Sequence, residues 1–245
     1  MPIPRPNRLS YIVLTVALAA SPAAAQPPTP PPDRASGRSL PKPAAPSSPA
    51  ATRHPEQPAR NRTLFNGKSL AGWQTVTSFD FARHGKVRVV DGTIELAAGE
   101  PGTAIRWKGT VPRDRYELSL EAMRFSGDDF FCGLTFPVGK EYCSLILGGW
   151  GGMVVGLSNI DGQSAVENQT TQAVRFQPKQ WYKVRLRVTP KKIEVWLDGE
   201  SIIDVERNNR RFSIWWEQEP VRPLGIATWR TTGRVRKIRL RRLDK

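Results

Sequence analysis

Histidine and cysteine are scarce in this chain, with two of each in 245 residues, and no apolar run is long enough to cross a bilayer. The histidines, His54 and His84, have no cysteine near them, which argues against a zinc site. No Ser–His or Cys–His arrangement assembles a nucleophilic triad, and no glycine run links a strand to a helix as a phosphate loop would. Acidic charge is the other deficit: 22 Asp and Glu stand against 37 Lys and Arg, a net charge of +15. A basic excess attracts anionic polysaccharide, lipid headgroups or nucleic acid, or is simply a solvated surface.

What the chain does have begins at its start. Arg5 and Arg8 precede the apolar residues 11–20, and the small-residue stretch SPAAAQ follows. This pattern predicts a signal peptide over residues 1–25, cleaved after Ala25, and export to the periplasm or the extracellular space. No cysteine follows the apolar run, so no lipid anchor is expected. Residues 26–60 are mostly Pro, Ala, Ser and isolated charges, too poor in apolar surface to offset ordering entropy, and are expected to be a disordered or semi-rigid tether.

Residues 61–245 remain as one domain. Two basic residues fall in the signal, and five basic and two acidic in the tether, leaving 30 basic and 20 acidic residues here. Eight of those 30 lie in residues 230–245. Cys132 and Cys143 flank the turn-like Pro137-Val138-Gly139-Lys140. A turn centred on Pro137-Val138 would place them opposite each other as a disulfide; a slip of one residue would leave two buried thiols.

Period-two patterns dominate, with no convincing amphipathic helix, and the class is all-β. The clearest unit is a meander in which Tyr182, Val184, Leu186 and Val188 alternate with Lys183, Arg185 and Arg187, and Ile193, Val195 and Leu197 alternate with Glu194 and Trp196. Asp198-Gly199 starts its third strand, 201–205. Other predicted strands are 86–90, 93–96, 104–107, 116–125, 130–136, 142–147, 153–160, 212–216, 225–228 and 235–243. So many short strands imply a β-sandwich of two antiparallel sheets. In the last strand Ile238 and Leu240 share one side, while Lys237, Arg239 and Arg241 line the other.

Two stretches carry a family resemblance. LFNGKSLAGWQ, residues 64–74, resembles the Leu-Phe-Asn-Gly-Lys-x-Leu-x-Gly-Trp opening of the 3-keto-disaccharide hydrolase domain family of secreted bacterial proteins. WYKVRLRV, IEVWLDGESI and GIATWRTTGRVRKIRLRRL are similar to its closing meander and final strand. The resemblance implies a concanavalin A-like jelly roll and a hydrolase or lyase acting on oxidised (3-keto) glycosides. It also implies a Glu in a Tyr-Glu-x-Gln-Ile-x-Asp-like strand and a His in a late Gln-Asp-His-Gly-like segment. Here those places read Tyr142-Cys143-Ser144-Leu145 and Thr228-Trp229-Arg230-Thr231-Thr232-Gly233, without that Glu or that His. The alternative is therefore a non-catalytic carbohydrate-binding or envelope-interaction module.

Opening a 3-keto-glycoside needs a base beside the ketone, an acid for the leaving oxygen and a polarising group. The candidates are Glu121, Glu141, Asp161 and Glu167, with Asp128, Asp129 and Glu217, and Arg124 and Arg230 as oxyanion partners. Taken singly, each reads more readily as a solvated strand or turn charge. Asp128-Asp129 is at most a weak calcium signal, because no alternating acidic pattern surrounds it; no metal or other cofactor is expected. Of the eight tryptophans, Trp150 within Gly148-Gly149-Trp150-Gly151-Gly152, Trp216 and Trp229 are the candidate carbohydrate-facing rings, and one of Trp215 and Trp216 is expected to face the core. The final basic strand lacks aromatics, so nucleic-acid binding is not expected.

Overall fold

The computed structural model describes residues 60–244; the predicted signal peptide (1–25) and all of the predicted tether (26–60) except Arg60 lie outside the described residues. In chain order the strands are β1 (Asn61–Thr63), β2 (Trp73–Thr75), β3 (Val87–Val90), β4 (Thr93–Leu96) and β5 (Gly102–Trp107). There follow β6 (Tyr116–Ser126), β7 (Cys132–Val138), β8 (Glu141–Gly148), β9 (Val154–Ser158) and β10 (Gln172–Ala173). The last five are β11 (Trp181–Val188), β12 (Lys192–Leu197), β13 (Glu200–Glu206), β14 (Gly225–Trp229) and β15 (Thr232–Arg242). They form two antiparallel sheets, the jelly-roll sandwich that the patterning and the resemblance predict. The eight-stranded sheet runs β13-β12-β11-β6-β15-β4-β3, with β1 also on β15, and the seven-stranded sheet runs β10-β9-β8-β7-β14-β5-β2.

Alternation decides which side chains meet between the sheets. Leu118, Leu120, Val184, Leu186, Val235 and Leu240 from the larger sheet pack in one core with Leu134, Phe136, Leu145, Leu147, Leu157 and Ile226 from the smaller. Burying each such side chain contributes about 1.5–3 kcal/mol. The buried Tyr116 hydroxyl donates to the Pro137 carbonyl at 2.5 Å, a polar link between the sheets, and burial pushes its phenol well above the usual range. A second, smaller cluster of Val76, Phe81, Ala104, Val221 and Ala227 lies apart from that core. Two 3-10 turns, Phe79–Phe81 and Trp216–Val221, contribute Phe81 and Val221 to it.

Three sequence expectations change. The β7–β8 turn lies at Gly139-Lys140, so Cys143 pairs with Phe136 and Cys132 with Leu147, and the expected Cys132–Cys143 bridge does not form. The two are four positions out of register, about 13 Å along the strand. Both remain buried free thiols, and burial raises that of Cys132 to about 12 and that of Cys143 higher still. In the folded chain both should be silent to a thiol-specific chromogenic reagent and titrate only in urea. A thiol that reacts promptly in the native protein would contradict this placement.

Residues 212–216 are not a strand. Phe212 makes a single bridge to Ile160, and Trp216 opens the 3-10 turn that Pro220 interrupts. Trp215 and Trp216 are therefore both outside the core, 44% and 59% exposed. In β15 a bulge between Arg236 and Arg239, with Lys237 at φ 54°, turns both Arg236 and Lys237 toward Glu121 while Val235 and Ile238 stay buried.

Candidate functional site

Three loops and two strands meet in a cavity of about 200 Å³. Phe130, Trp150, Trp215 and Trp229 supply aromatic walls, and Ile146 of β8 adds to them. Asp129, Glu217 and Gln218 supply the polar groups. Phe130 and Trp229 lie nearly parallel, with centroids 6.0 Å apart.

Backbone constraints fix this geometry. Between β6 and β7, Gly127 sits at φ 95°, and a Cβ there would fall 2.7 Å from Thr231, so only glycine lets this loop press on the β14–β15 connection. The Asp129 amide then donates to Thr231 Oγ1 at 2.9 Å, and the Trp229 amide donates to the Phe130 carbonyl at 3.0 Å. Across the mouth, Gly152 packs so closely on the Arg124 guanidinium and the Asp128 carbonyl that a Cβ would collide with both. Trp150, at φ 48°, is held out of the core and 44% exposed.

The polar groups are poised for a ligand. Burial pushes the Asp129 carboxyl above the usual aspartate range and Asp128 adds to the push; amide hydrogen bonds from Phe130 and Trp150 and the charge of Arg230 only partly offset it. The Phe130 amide donates to Asp129 Oδ1 at 2.7 Å. Glu217 Oε2 and Gln218 Oε1 are buried with no hydrogen-bond partner in the protein. Buried polar atoms are almost always satisfied, so these two are exceptions in the segment that borders the cavity.

Of the predicted site residues, Trp150 and Trp229 line the cavity, as do Asp129 and Glu217. Trp216 stands outside it, edge-on to Phe79 at 6.2 Å. Arg230 is exposed, and its charge reaches Asp129. Arg124 donates to the Gly152 and Phe176 carbonyls at 3.3 and 2.5 Å and clamps the loop. The other acids are engaged elsewhere. Glu121 binds Arg236 and Lys237, Glu141 accepts from the Phe212 amide, Asp161 binds Arg210 and the Arg211 amide, and Glu167 accepts from Ser164. Asp128 is exposed, and among the described residues no three His, Cys, Asp or Glu side chains cluster to hold a metal. Trp215 was weighed in the sequence only together with Trp216, one of the pair expected in the core, and Gln218, beyond the predicted strand 212–216, carries no sequence signal.

The segments where the family resemblance implies Glu and His are also accounted for. Cys143 is a buried core thiol, and Tyr142 lies under the guanidiniums of Arg113 and Arg222 at 4.8 and 5.0 Å. The late segment supplies the Trp229 ring to the cavity.

Fold and site together define a concanavalin A-like jelly roll with an aromatic-walled cavity. Residues 60–241 match the family described as the 3-keto-alpha-glucoside-1,2-lyase-like domain, and the chain belongs to that family, a carbohydrate-directed one. Among solved structures, the Crh5 transglycosylase in complex with NAG is similar at 11% identity and a TM-score of 0.51, over 76% of this chain and 85% of that one. The carbohydrate binding module CBM66 from Bacillus subtilis has 10% identity and a TM-score of 0.48, over 74% and 99% of the two chains. The Emp46p carbohydrate recognition domain has 14% identity and a TM-score of 0.49, over 75% and 96%. At these identities the likeness is one of fold. Among curated proteins no relative matches the chain.

Proposed function

We propose that the protein binds a glycan by taking one sugar ring into the cavity between Trp150, Trp215 and Trp229. The observation that carries this reading is the cavity itself, walled by the Trp150, Trp215 and Trp229 rings with Asp129 among its polar lining residues. Sugar hydroxyls hydrogen-bond to polar groups such as the Asp129 carboxyl while the ring's C–H face stacks on indole. The basic, apolar and small-residue order of residues 1–25 supports export, which would place the glycan outside the cytoplasm.

A second reading, cleavage of a 3-keto-glycoside, is favoured by Asp129 and Glu217 sharing the cavity. The burial-raised Asp129 carboxyl keeps its proton to higher pH and suits protonation of the leaving oxygen, while Glu217 suits removal of the C2 proton beside the ketone. That step breaks the C2–H and C1–O bonds and leaves a C1–C2 double bond. Purified full chain should bind members of an array of neutral and 3-keto glycosides, with Trp150→Ala and Trp229→Ala each weakening binding about tenfold. Absence of any glycan binding would overturn the first reading. Release of free sugar from a 3-keto-α-glucoside, lost in Asp129→Asn while binding persists, supports the second; binding without release by the unaltered chain refutes it.

A further inference from the structure

The outer face of the eight-stranded sheet follows a rule with one exception. Strand β6 is flanked by two basic strands, β11 and β15, and cross-strand neighbours form rows. In one row Arg187 and Arg241 flank Glu117 and bind it at 3.2 and 3.1 Å. In another Lys183 and Arg236 flank Glu121, which Arg236 and Lys237 bind at 2.7 and 2.8 Å. The row between them pairs Arg185 and Arg239 across Ser119, where the rule would put a carboxylate.

The gap has the form of a site. A depression of about 290 Å³ opens there, lined by the cations Lys183, Arg185, Lys237 and Arg239 with Ser119 and Trp196, and with Glu121 at its edge bound to Lys237. Among the described residues no carboxylate lies within 4.0 Å of Lys183 or Arg239. Arg185 lies over the Trp196 ring at 3.6 Å, which limits its rotamers, and reaches Glu117 of the neighbouring row only at 3.6 Å. The β15 bulge adds Lys237 to the same face. The Ser119 hydroxyl is a short donor at the centre.

We propose that this row is a second binding site, on the opposite side of the sandwich from the cavity, for the carboxylate or sulfate groups of an acidic polysaccharide. The anion takes the place that Glu117 and Glu121 fill in the neighbouring rows. Four cations spread over two strands, β11 and β15, suit a repeating polyanion better than a single small ion. A bilayer surface fits less well: the exposed large apolar side chains Phe79, Trp150, Met153, Val166, Trp215 and Trp216 all lie off this sheet, leaving nothing on it to insert. Nucleic acid fits less well because Trp196, the ring in the depression, is already covered by Arg185. The site stands independently of the cavity and of its glycan.

The test measures binding of the full chain to heparin, polygalacturonate, neutral dextran, phosphatidylglycerol vesicles and duplex DNA. Heparin or polygalacturonate should bind in a salt-sensitive manner, with dextran at least about tenfold weaker. Ser119→Glu supplies the missing carboxylate and should weaken polyanion binding about tenfold while leaving the thermal midpoint unchanged or higher. Thr77→Glu, an equal charge change at an exposed residue off this sheet, should alter binding less than twofold. Equal weakening by the two substitutions would reduce the row to a general charge effect and overturn the site. Preference for vesicles or DNA over both acidic polysaccharides would overturn the assigned partner.

Discussion

Phe131→Ala is expected to lower the free energy of unfolding by about 3–5 kcal/mol, read from urea denaturation of the full chain. Phe131 is fully buried where the β6–β7 loop enters the sandwich, edge-on to Phe176 at 4.9 Å and tilted against Tyr182 at 6.4 Å. Its surroundings cannot collapse easily into the gap. Gly148 sits against its ring, Gly233 against its backbone carbonyl, and Phe176 is itself locked edge-on to Tyr182 at 4.9 Å. Truncation therefore loses both transfer energy and packing around a cavity. The same substitution should loosen Asp129 and Phe130, which precede it, so glycan binding should weaken even where the domain stays folded. Phe131→Leu should cost markedly less. A loss below about 1 kcal/mol for the alanine variant would mean that this aromatic cluster does not anchor the loop.

Glu95→Ala should cost about 2–4 kcal/mol. The Glu95 side chain is only 4% exposed and is bound at 2.6 Å by both Arg88 and Arg234. Removing it strands Arg234, itself largely buried and stacked on Phe125 at 4.1 Å, without its carboxylate. The pH dependence has a definite sign. Burial alone would raise the Glu95 carboxyl, but the hydrogen bonds and charges of Arg88 and Arg234 outweigh it and hold the group below its ordinary value of 4.5. Its stabilisation is therefore complete above that value and is lost as pH falls through the lower value of the folded protein. Glu121 behaves in the same direction, with burial opposed and outweighed by Lys237 and Arg236. An acid titration of stability should be flatter for Glu95→Ala than for the unaltered chain. Equal slopes would show that this ion pair contributes nothing to folding.

The fold was largely legible in the sequence because alternation is a local signal. Tyr182, Val184, Leu186 and Val188 announce a half-buried strand without any knowledge of its partners, and they are buried in it. Register was not legible where proline misled. Pro137 looks like turn punctuation but sits inside β7, where its carbonyl accepts from Tyr116. Its missing N–H faces the same way, off the β7–β8 ladder, and so breaks no bond there. The true turn two residues later decides where the cysteines go. Trp215 and Trp216 failed for a related reason: two adjacent bulky apolar residues suggest a strand, but Pro220 cannot donate to a ladder and the segment winds into a 3-10 turn instead. The convergence of Asp129 with Glu217 is tertiary. Each looks like an ordinary loop acid alone, and only the folded order of β7, β8 and β14 brings their loops to one cavity.

The strand order also constrains how the chain can be made. Strand β15 lies inside the larger sheet, between β6 on one side and β4 and β1 on the other, and β14 lies inside the smaller sheet, between β7 and β5. A ribosome delivers both of them last. Until residues 225–242 emerge, the smaller sheet is two separate fragments and the larger is three, β1 among them, so folding during synthesis cannot run to completion from the front. The sheets must stay uncommitted, or be held so, until these two strands close both layers together.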